Sequence, residues 1–159
     1  MSDLLNLNDI LGGTEHVEAL PPDTGAQNAQ GNAAPCRLGV FGSRSLKDAR
    51  VFDIISKVVA ARNVWLIVTA AEPAGVCTVA QEWCRKHHFP LQVHFLQQDK
   101  YARGKWEHRS DHVIANSDLV LLIHDGVSRG THNEMLRTLH FHVPYVYERI
   151  PQMKGIGAA

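Results

Sequence analysis

The chain has 159 residues, of which 45% are hydrophobic and 20% charged, and its 16 basic residues equal its 16 acidic ones. These values are typical of one globular domain. The balanced charge gives no sign of a nucleic-acid partner, and no apolar run approaches the ~20 residues that a membrane span needs. Three sparse cysteines and an amino terminus without signal-peptide features lead us to expect a cytoplasmic protein with reduced thiols.

The amino-terminal part of the sequence differs in composition from the rest. Residues 21–35 are rich in Pro, Gly, Asn, Gln and Ala, which predicts a disordered linker. Residues 3–11 have the apolar spacing of a short amphipathic helix that docks on its own domain or on a partner, and a frayed tail is an equal alternative. We therefore predict a flexible extension over 1–35, an ordered domain over 36–150 and a loose tail over 151–159.

Strand and helix patterns alternate through the ordered domain. Apolar runs predict strands, and apolar residues spaced by threes and fours predict helices. The expected strands are 37–42, 64–71, 90–97, 118–124 and 143–149. The expected helices are 45–63, 76–88, the second half of 98–117, and 131–142. Because most strands are apolar throughout, we predict an α/β, Rossmann-like, doubly wound parallel sheet of about five strands, with helices on both faces.

Two loops at the carboxyl ends of predicted strands combine Gly, Ser, Thr and Arg. They are GSRS at 42–45 and DGVSRGT at 125–131. Sheets of this type bind ligands at that edge, where helix N-termini and Arg suit a phosphate. Each loop also has a plain structural interpretation. GSRS can be a turn with a serine N-cap. DGVSRGT can be a loop with a capping box, in which Thr131 is the N-cap of the next helix and Glu134 is the N3 residue. The coincidence of both loops at one edge favours a phosphate site.

At this point the residues resemble a known family. The stretches GVFGSRS (39–45), residues 100–131 and VPYVY (143–147) are similar to the SLOG superfamily of Rossmann-like domains. They look most like its small stand-alone bacterial and phage proteins with a GSR…DGxSxGT signature, and the likeness covers about 37–148. That superfamily binds or processes nucleotides and nucleotide-derived molecules. It includes signal-sensing domains of antiviral systems and the Lonely Guy phosphoribohydrolases.

The resemblance implies a protein that senses or sequesters a nucleotide-derived ligand, in anti-phage defence or anti-defence. Arg109 and Glu134 would face the ribose. The basic and aromatic segment 99–109 would form a lid in which Tyr101 and Trp106 stack on the base, and the alternative is a solvated helix entry with Trp106 buried. The residues expected to hold the phosphate are Gly42, Ser43, Arg44, Gly126, Ser128, Gly130 and Thr131, and Asp125 is expected in the same ligand site.

The resemblance also implies an enzymatic alternative. Related enzymes have an Arg on the helix before the fourth strand and a Glu three residues after Gly-Thr, and Arg109 and Glu134 occupy those places. The chain would then be a nucleoside-monophosphate N-glycosidase, with a carboxylate stabilising the oxocarbenium-like transition state. The chain departs from its relatives at Ala70, Ala71 and Glu72, where a glycine-rich loop is usual. It also has Ser110 in place of the usual Asn.

The remaining candidates are weaker. His108 and His112 have a spacing that can bind zinc but no third ligand, and we predict neither a metal nor a cofactor. His124 and His132 border the expected site and could bond a phosphate. Cys77 lacks a paired base that would make it a nucleophile. The apolar segment 135–141 predicts a homo-oligomer, a dimer or tetramer, and a protein-interaction module acting through the amino-terminal helix is a third functional alternative.

Overall fold

The computed structural model of the chain describes residues 16–19, 34–97 and 103–151. The predictions for the amino-terminal helix, for most of the linker, for Tyr101 and for the tail from 152 onward lie outside these residues. The strands are β1 (His16–Ala19), β2 (Cys36–Gly42), β3 (Val64–Ala70), β4 (Leu91–His94), β5 (Leu119–His124) and β6 (Tyr145–Arg149). The helices are α1 (Ala49–Ala61), α2 (Val76–His87), α3 (Lys105–Ala115) and α4 (Arg129–His140).

The strands form one sheet in the order β1-β6-β5-β2-β3-β4. Strands β2 to β6 are parallel, and β1 pairs antiparallel with β6 at one edge. From β2 the chain first builds outward through β3 and β4, and then returns to build the other side through β5 and β6. The strand order therefore reverses between β2 and β5, which is where ligands of such sheets bind. The predicted doubly wound α/β sheet is confirmed.

Two hydrophobic cores lie on the two faces of this sheet. Alternate residues of β5 point to opposite faces: Leu121 and Ile123 pack with one core, and Leu122 packs with the other. The first core also contains apolar residues of α1 and α2, and the second contains residues of α3 and α4. This two-sided burial explains why the central strand is apolar throughout.

Helix α1 and strand β1 differ from the sequence prediction. Helix α1 begins at Ala49 rather than at 45, because the Asp48 carboxylate accepts a hydrogen bond from the Arg50 N–H at 2.9 Å and caps the helix. Strand β1 was not predicted. It is four residues long, too short for a periodic pattern, and its backbone follows the free edge of β6.

The helices are short. Within the described ranges, none combines the length and apolar character required to cross a bilayer.

Candidate functional site

A cavity of about 460 Å³ opens at the carboxyl ends of the central strands. This volume is within the range of small-molecule sites. The predicted residues that line it are Gly42, Arg44, Trp106, Arg109, Asp125, Ser128, Gly130, Thr131 and Glu134. Ser45, Glu72, Glu107, Ser110, Asn133 and Arg137 complete the lining. The sequence-derived site is thus largely brought together around one cavity.

One side of the cavity, which we call the hydroxyl half, consists of Ser43, Ser45, Asp125, Ser128 and Thr131. Ser43 lies beneath the cavity surface with no solvent exposure. Its Oγ accepts the Asp125 N–H at 3.0 Å and lies 3.3 Å from Thr131 Oγ1. Its backbone N–H donates to the Ile123 carbonyl. Ser43 therefore joins the loop after β2 to the loop after β5, and these contacts use its hydroxyl.

Asp125 organises the loop after β5. Its Oδ1 accepts hydrogen bonds from the N–H groups of Val127 and Ser128, both at 2.8 Å, and its Oδ2 accepts one from Ser45 Oγ at 2.7 Å. Burial alone would raise the pKa of Asp125, but these hydrogen bonds outweigh it and the pKa is lowered. The carboxylate is therefore ionised at neutral pH and holds the loop in one shape.

The cap of helix α4 corrects the sequence prediction. Ser128, with extended backbone, is the N-cap, and its Oγ accepts the Thr131 N–H at 3.4 Å. Thr131 is the third residue of the helix and donates its hydroxyl to Ser128 Oγ. The helix begins at Arg129, one turn earlier than the capping-box interpretation requires. Glu134 is therefore not the partner residue of a capping box, and it lines the cavity.

Two predicted glycines have packing roles. A Cβ on Gly42 would come within 2.4 Å of Val76 Cγ2 and 2.5 Å of the Ile123 carbonyl oxygen. Gly126 has a φ of +94° and lies against the Arg149 guanidinium, which a Cβ would approach to 2.9 Å. Gly126 does not line the cavity, and Gly42 is required by strand packing whether or not a ligand binds.

A second group of residues at the cavity, which we call the charged half, consists of Arg44, Glu72, Arg109 and Glu134. Glu72 Oε1 accepts a very short hydrogen bond from Arg109 Nη2. Among the described residues, Glu72 Oε2 has no hydrogen-bond donor with good geometry, but it lies 2.6 Å from Arg44 Nη2, so that contact is an ion pair. Arg109 is 4% exposed, and its Nη1 donates a hydrogen bond to the Ala71 carbonyl at 3.1 Å. Within the described ranges, its buried Nε has no hydrogen-bond partner.

Glu134 projects from α4 into the same group. Burial among protein atoms, together with the nearby Glu72 carboxylate, raises its pKa to about 8, although Arg109 and Arg44 act in the opposite direction. Its side chain still reaches solvent through the cavity. Near neutral pH Glu134 is therefore mostly protonated and can donate a hydrogen bond, whereas an ordinary glutamate can only accept one.

The rim of the cavity carries an aromatic ring and a further arginine. Trp106 is 49% exposed, with Lys105 Nζ 4.6 Å from its ring centroid. The alternative in which this ring is buried is wrong. Arg137 forms a two-pronged ion pair with Asp111, at 2.5 and 2.6 Å, which links α4 to α3.

Three other candidates, His124, His132 and Cys77, do not line the cavity. His124 is 7% exposed, and its ring nitrogens contact Tyr147 Oη at 2.8 Å and the Ser128 carbonyl at 2.9 Å. Burial lowers the pKa of His124, so the neutral ring holds the loop and has no nitrogen left for a phosphate. His132 does not line the cavity. Cys77 is buried and its pKa is raised to about 12 by burial, which removes it as a nucleophile.

The histidine pair on α3 does not converge with further ligands. The His112 ring stacks on His94, with centroids 6.0 Å apart. Within residues 16–19, 34–97 and 103–151 there is no group of three or more His, Cys, Asp or Glu side chains that could hold a metal. His108 and His112 thus have no third ligand in the part of the chain that the structure describes.

The main residue that the site prediction left out is Glu72. The sequence placed it on a strand-end loop at the correct sheet edge but treated it as a departure from a family pattern. Its ion pairs with Arg44 and Arg109 join residues far apart in the chain, so no local pattern could indicate them. Asn133 and Arg137 also line the cavity; Asn133 immediately precedes the predicted Glu134, and Arg137 follows it by three residues.

Comparison of the chain with protein-family models, with curated protein sequences and with solved structures gives no significant match. The resemblance to the SLOG superfamily therefore remains a prediction from the sequence.

Proposed function

We propose that this domain binds a nucleotide or nucleotide-derived small molecule in the cavity, in order to sense or sequester it in the cytoplasm. The observation that carries the proposal is the position of the cavity. It lies where the strand order reverses, and the N-terminus of α4, the Arg44 guanidinium and the Trp106 ring all border it. Sheets of this kind bind phosphorylated ligands at that place.

The N-terminus of α4 provides the phosphate end of the proposed site. The first N–H groups of a helix have no acceptor within it, and the helix dipole favours an anion there. Gly130, the second residue of α4, lines the cavity, and a Cβ there would meet no protein atom closer than Ser128 Oγ at 4.0 Å. The Arg44 side chain is 59% exposed and supplies positive charge from the loop after β2.

Other residues that line the cavity suit a base and a sugar. The half-exposed Trp106 ring offers a stacking surface, which typically contributes about 1–3 kcal/mol per base. Protonated Glu134 can donate to an oxygen of the ligand, and Glu72 can accept from a hydroxyl. A nucleotide has three parts, a phosphate, a sugar and a base, that groups of these kinds can bind.

The test is a thermal-shift screen of the wild-type chain with nucleoside monophosphates, nucleoside diphosphates, cyclic nucleotides and NAD derivatives. A ligand present at 100 times its dissociation constant should stabilise the fold by about 2.7 kcal/mol. Absence of stabilisation by every member of the panel at millimolar concentration would contradict the proposal.

A second candidate function is hydrolysis of an N-glycosidic bond, with SLOG-related phosphoribohydrolases as the analogy. The observation that favours it is that the acidic side chains of Glu72 and Glu134 line one cavity. The raised pKa of Glu134, about 8, lets it donate a proton near neutral pH. Water would add to the anomeric carbon as the C–N bond breaks, and the base would leave with a proton. The test is chromatography of nucleotides after incubation with the protein. Release of free base by the wild type but not by Glu134→Ala would favour hydrolysis over binding alone.

We also propose that the chain self-associates through α4. Leu136 and Phe141 are 37% and 43% exposed, while Met135 is buried in the core. The helix thus carries more apolar surface than its own core uses. Light scattering should report a dimer or tetramer, and a monomer at all concentrations would contradict this part of the proposal.

A further inference from the structure

The Glu72 carboxylate lies between two arginines that line the cavity. One oxygen bonds to Arg109 Nη2, and the other lies 2.6 Å from Arg44 Nη2. Two guanidinium groups thus contact the two oxygens of one carboxylate. A bound phosphate group would bring two arginines together in the same way. Glu72 therefore occupies, as part of the protein, the place of an anion.

Glu72 is fixed in this place by its loop and by its neighbours. Its backbone N–H donates to the Ala70 carbonyl at 2.9 Å, and its carbonyl accepts from Thr78 Oγ1 at 3.2 Å. Arg109 holds both the Glu72 carboxylate and the adjacent Ala71 carbonyl. Only 10% of the Glu72 side chain is exposed. Removing its carboxylate from Arg109 would leave a buried charge without a partner, so a ligand cannot easily displace it.

Because Glu72 pairs with two arginines, few positive charges at the cavity remain available to a ligand. Among the described residues that line it, the arginines are Arg44, Arg109 and Arg137, and the carboxylates are Glu72, Glu107, Asp125 and Glu134. Arg109 and Arg137 are paired within the protein, to Glu72 and to Asp111. Arg44 alone is largely exposed, and it already shares Glu72. The cavity thus has little positive charge left for a ligand.

We propose that Glu72 is a specificity-determining residue: by pairing with Arg44 and Arg109 it makes the cavity accept nucleotide-derived ligands with at most one negative charge and reject terminal phosphate dianions. This inference rests on the proposed function and narrows its ligand class. The single negative charge is placed at Arg44 and the start of α4, and ligand hydroxyl groups donate to Glu72. Nucleosides, cyclic nucleotides and other phosphodiesters belong to the accepted class.

The experiment measures binding of inorganic phosphate by isothermal titration calorimetry to the wild type and to Glu72→Gln. The substitution keeps the size of the side chain but releases Arg44 from its ion pair. We expect at least about tenfold tighter phosphate binding by Glu72→Gln, and tenfold corresponds to about 1.4 kcal/mol. The matched control is Glu107→Gln, which makes the same charge change at the rim of the same cavity and should give a clearly smaller gain.

A second variant covers the case in which Glu72→Gln alone does not fold. The double variant Glu72→Gln/Arg109→Gln leaves no unpaired buried charge and still frees Arg44, so it should show the same gain. The inference is overturned by unchanged or weaker phosphate binding in a folded variant, or by an equal gain in Glu107→Gln. It is also overturned if the wild type already binds inorganic phosphate as tightly as the variant.

The nucleotide arm compares a 3′,5′-cyclic monophosphate, a monoanion, with the corresponding 5′-monophosphate, which is mainly a dianion at pH 7.5. The wild type should bind the cyclic form more tightly, and Glu72→Gln should reverse or abolish that preference. A preference of the wild type for the dianion overturns the inference alone. Failure of the wild type to bind any nucleotide overturns the proposed function, while the phosphate measurement still reports on Glu72.

Discussion

The two halves of the cavity wall are stabilised in different ways. In the hydroxyl half, Ser43, Asp125 and Ser128 satisfy one another and the nearby backbone with hydrogen bonds of 2.7 to 3.4 Å. In the charged half, ion pairs join Glu72 to two arginines, and the neighbouring Glu134 has a raised pKa. A buried nitrogen of Arg109 has no hydrogen-bond partner in the part of the chain that the structure describes.

This difference distinguishes groups that hold the loops in place from groups that are available to the proposed ligand. Groups that are fully hydrogen-bonded to the protein fix the shape of a site and have little left to offer a ligand. Perturbed and incompletely satisfied groups are characteristic of sites that bind or react. We infer that the hydroxyl half holds the loops and the start of α4 in place, and that the charged half selects the ligand.

The largest expected effect is that of Arg109→Ala. It leaves Glu72 buried with a single partner, so the free energy of unfolding should fall by about 3–5 kcal/mol, as for other broken buried ion pairs. Chemical denaturation followed by circular dichroism measures it. The control is Arg137→Ala. Its ion pair with Asp111 is more exposed, with side-chain exposures of 34% and 24%. The free energy of unfolding of this variant should fall by no more than about 1 kcal/mol. Equal losses would contradict the distinction between the two pairs.

The second effect is a pH dependence that originates at Glu134. Its pKa is about 8 in the folded chain, against the ordinary glutamate value of 4.5, so folding favours the protonated form. The contribution of Glu134 to the free energy of unfolding is fully present below about pH 4.5 and is lost as the pH rises through 8. Each pKa unit is worth about 1.4 kcal/mol. Because solvent reaches Glu134 through the cavity, we expect a loss of about 2–4 kcal/mol.

Glu134→Gln cannot ionise and should not show this loss, so at pH 8.5 it should be more stable than the wild type. Urea denaturation between pH 5 and 9 makes the comparison, with Glu107→Gln as the control that keeps the wild-type profile. Parallel profiles for the wild type and Glu134→Gln would show that Glu134 is not the titrating group.

A smaller effect is expected from Ser43→Ala in the hydroxyl half. It removes the acceptor of the buried Asp125 N–H and a contact with Thr131, which should lower the free energy of unfolding by about 1–3 kcal/mol. The pH profile should stay that of the wild type, because the charged half is untouched. Ser45→Ala removes a single bond from an exposed side chain and should cost less. A larger loss in Ser45→Ala would contradict the central position given to Ser43.

The smallest effect is expected from Gly130→Ala, which should raise the free energy of unfolding by up to about 1 kcal/mol, because alanine favours a helix and the added Cβ meets no close atom. Gly126→Ala is the matched contrast. There φ is +94° and the Cβ would come within 2.9 Å of Arg149, so the variant should be destabilised. Thermal unfolding of both variants provides the measurement, and similar changes in both would contradict these assignments.

The sequence predicted the sheet and most of the cavity lining, because both depend on local patterns. Apolar runs such as 119–124 predict buried parallel strands, and the strand-end loops follow from the element order. The cap at Ser128 was misplaced by three residues, since Ser128 and Thr131 are both acceptable caps and only the loop held by Asp125 decides between them. Glu72 was missed as a site residue because its partners are 28 and 37 positions away in the chain.

The central claim is that the cavity is the ligand site, and the most direct test is calorimetric titration of the wild type and Gly130→Leu in parallel. The ligand is the nucleotide that stabilises the wild type most in the thermal-shift screen. A leucine at Gly130 has space next to the helix backbone but adds volume at the cavity lining. We predict one ligand per chain for the wild type and at least about tenfold weaker binding by a folded Gly130→Leu. Equal affinity of the two proteins would contradict the claim and place the ligand elsewhere.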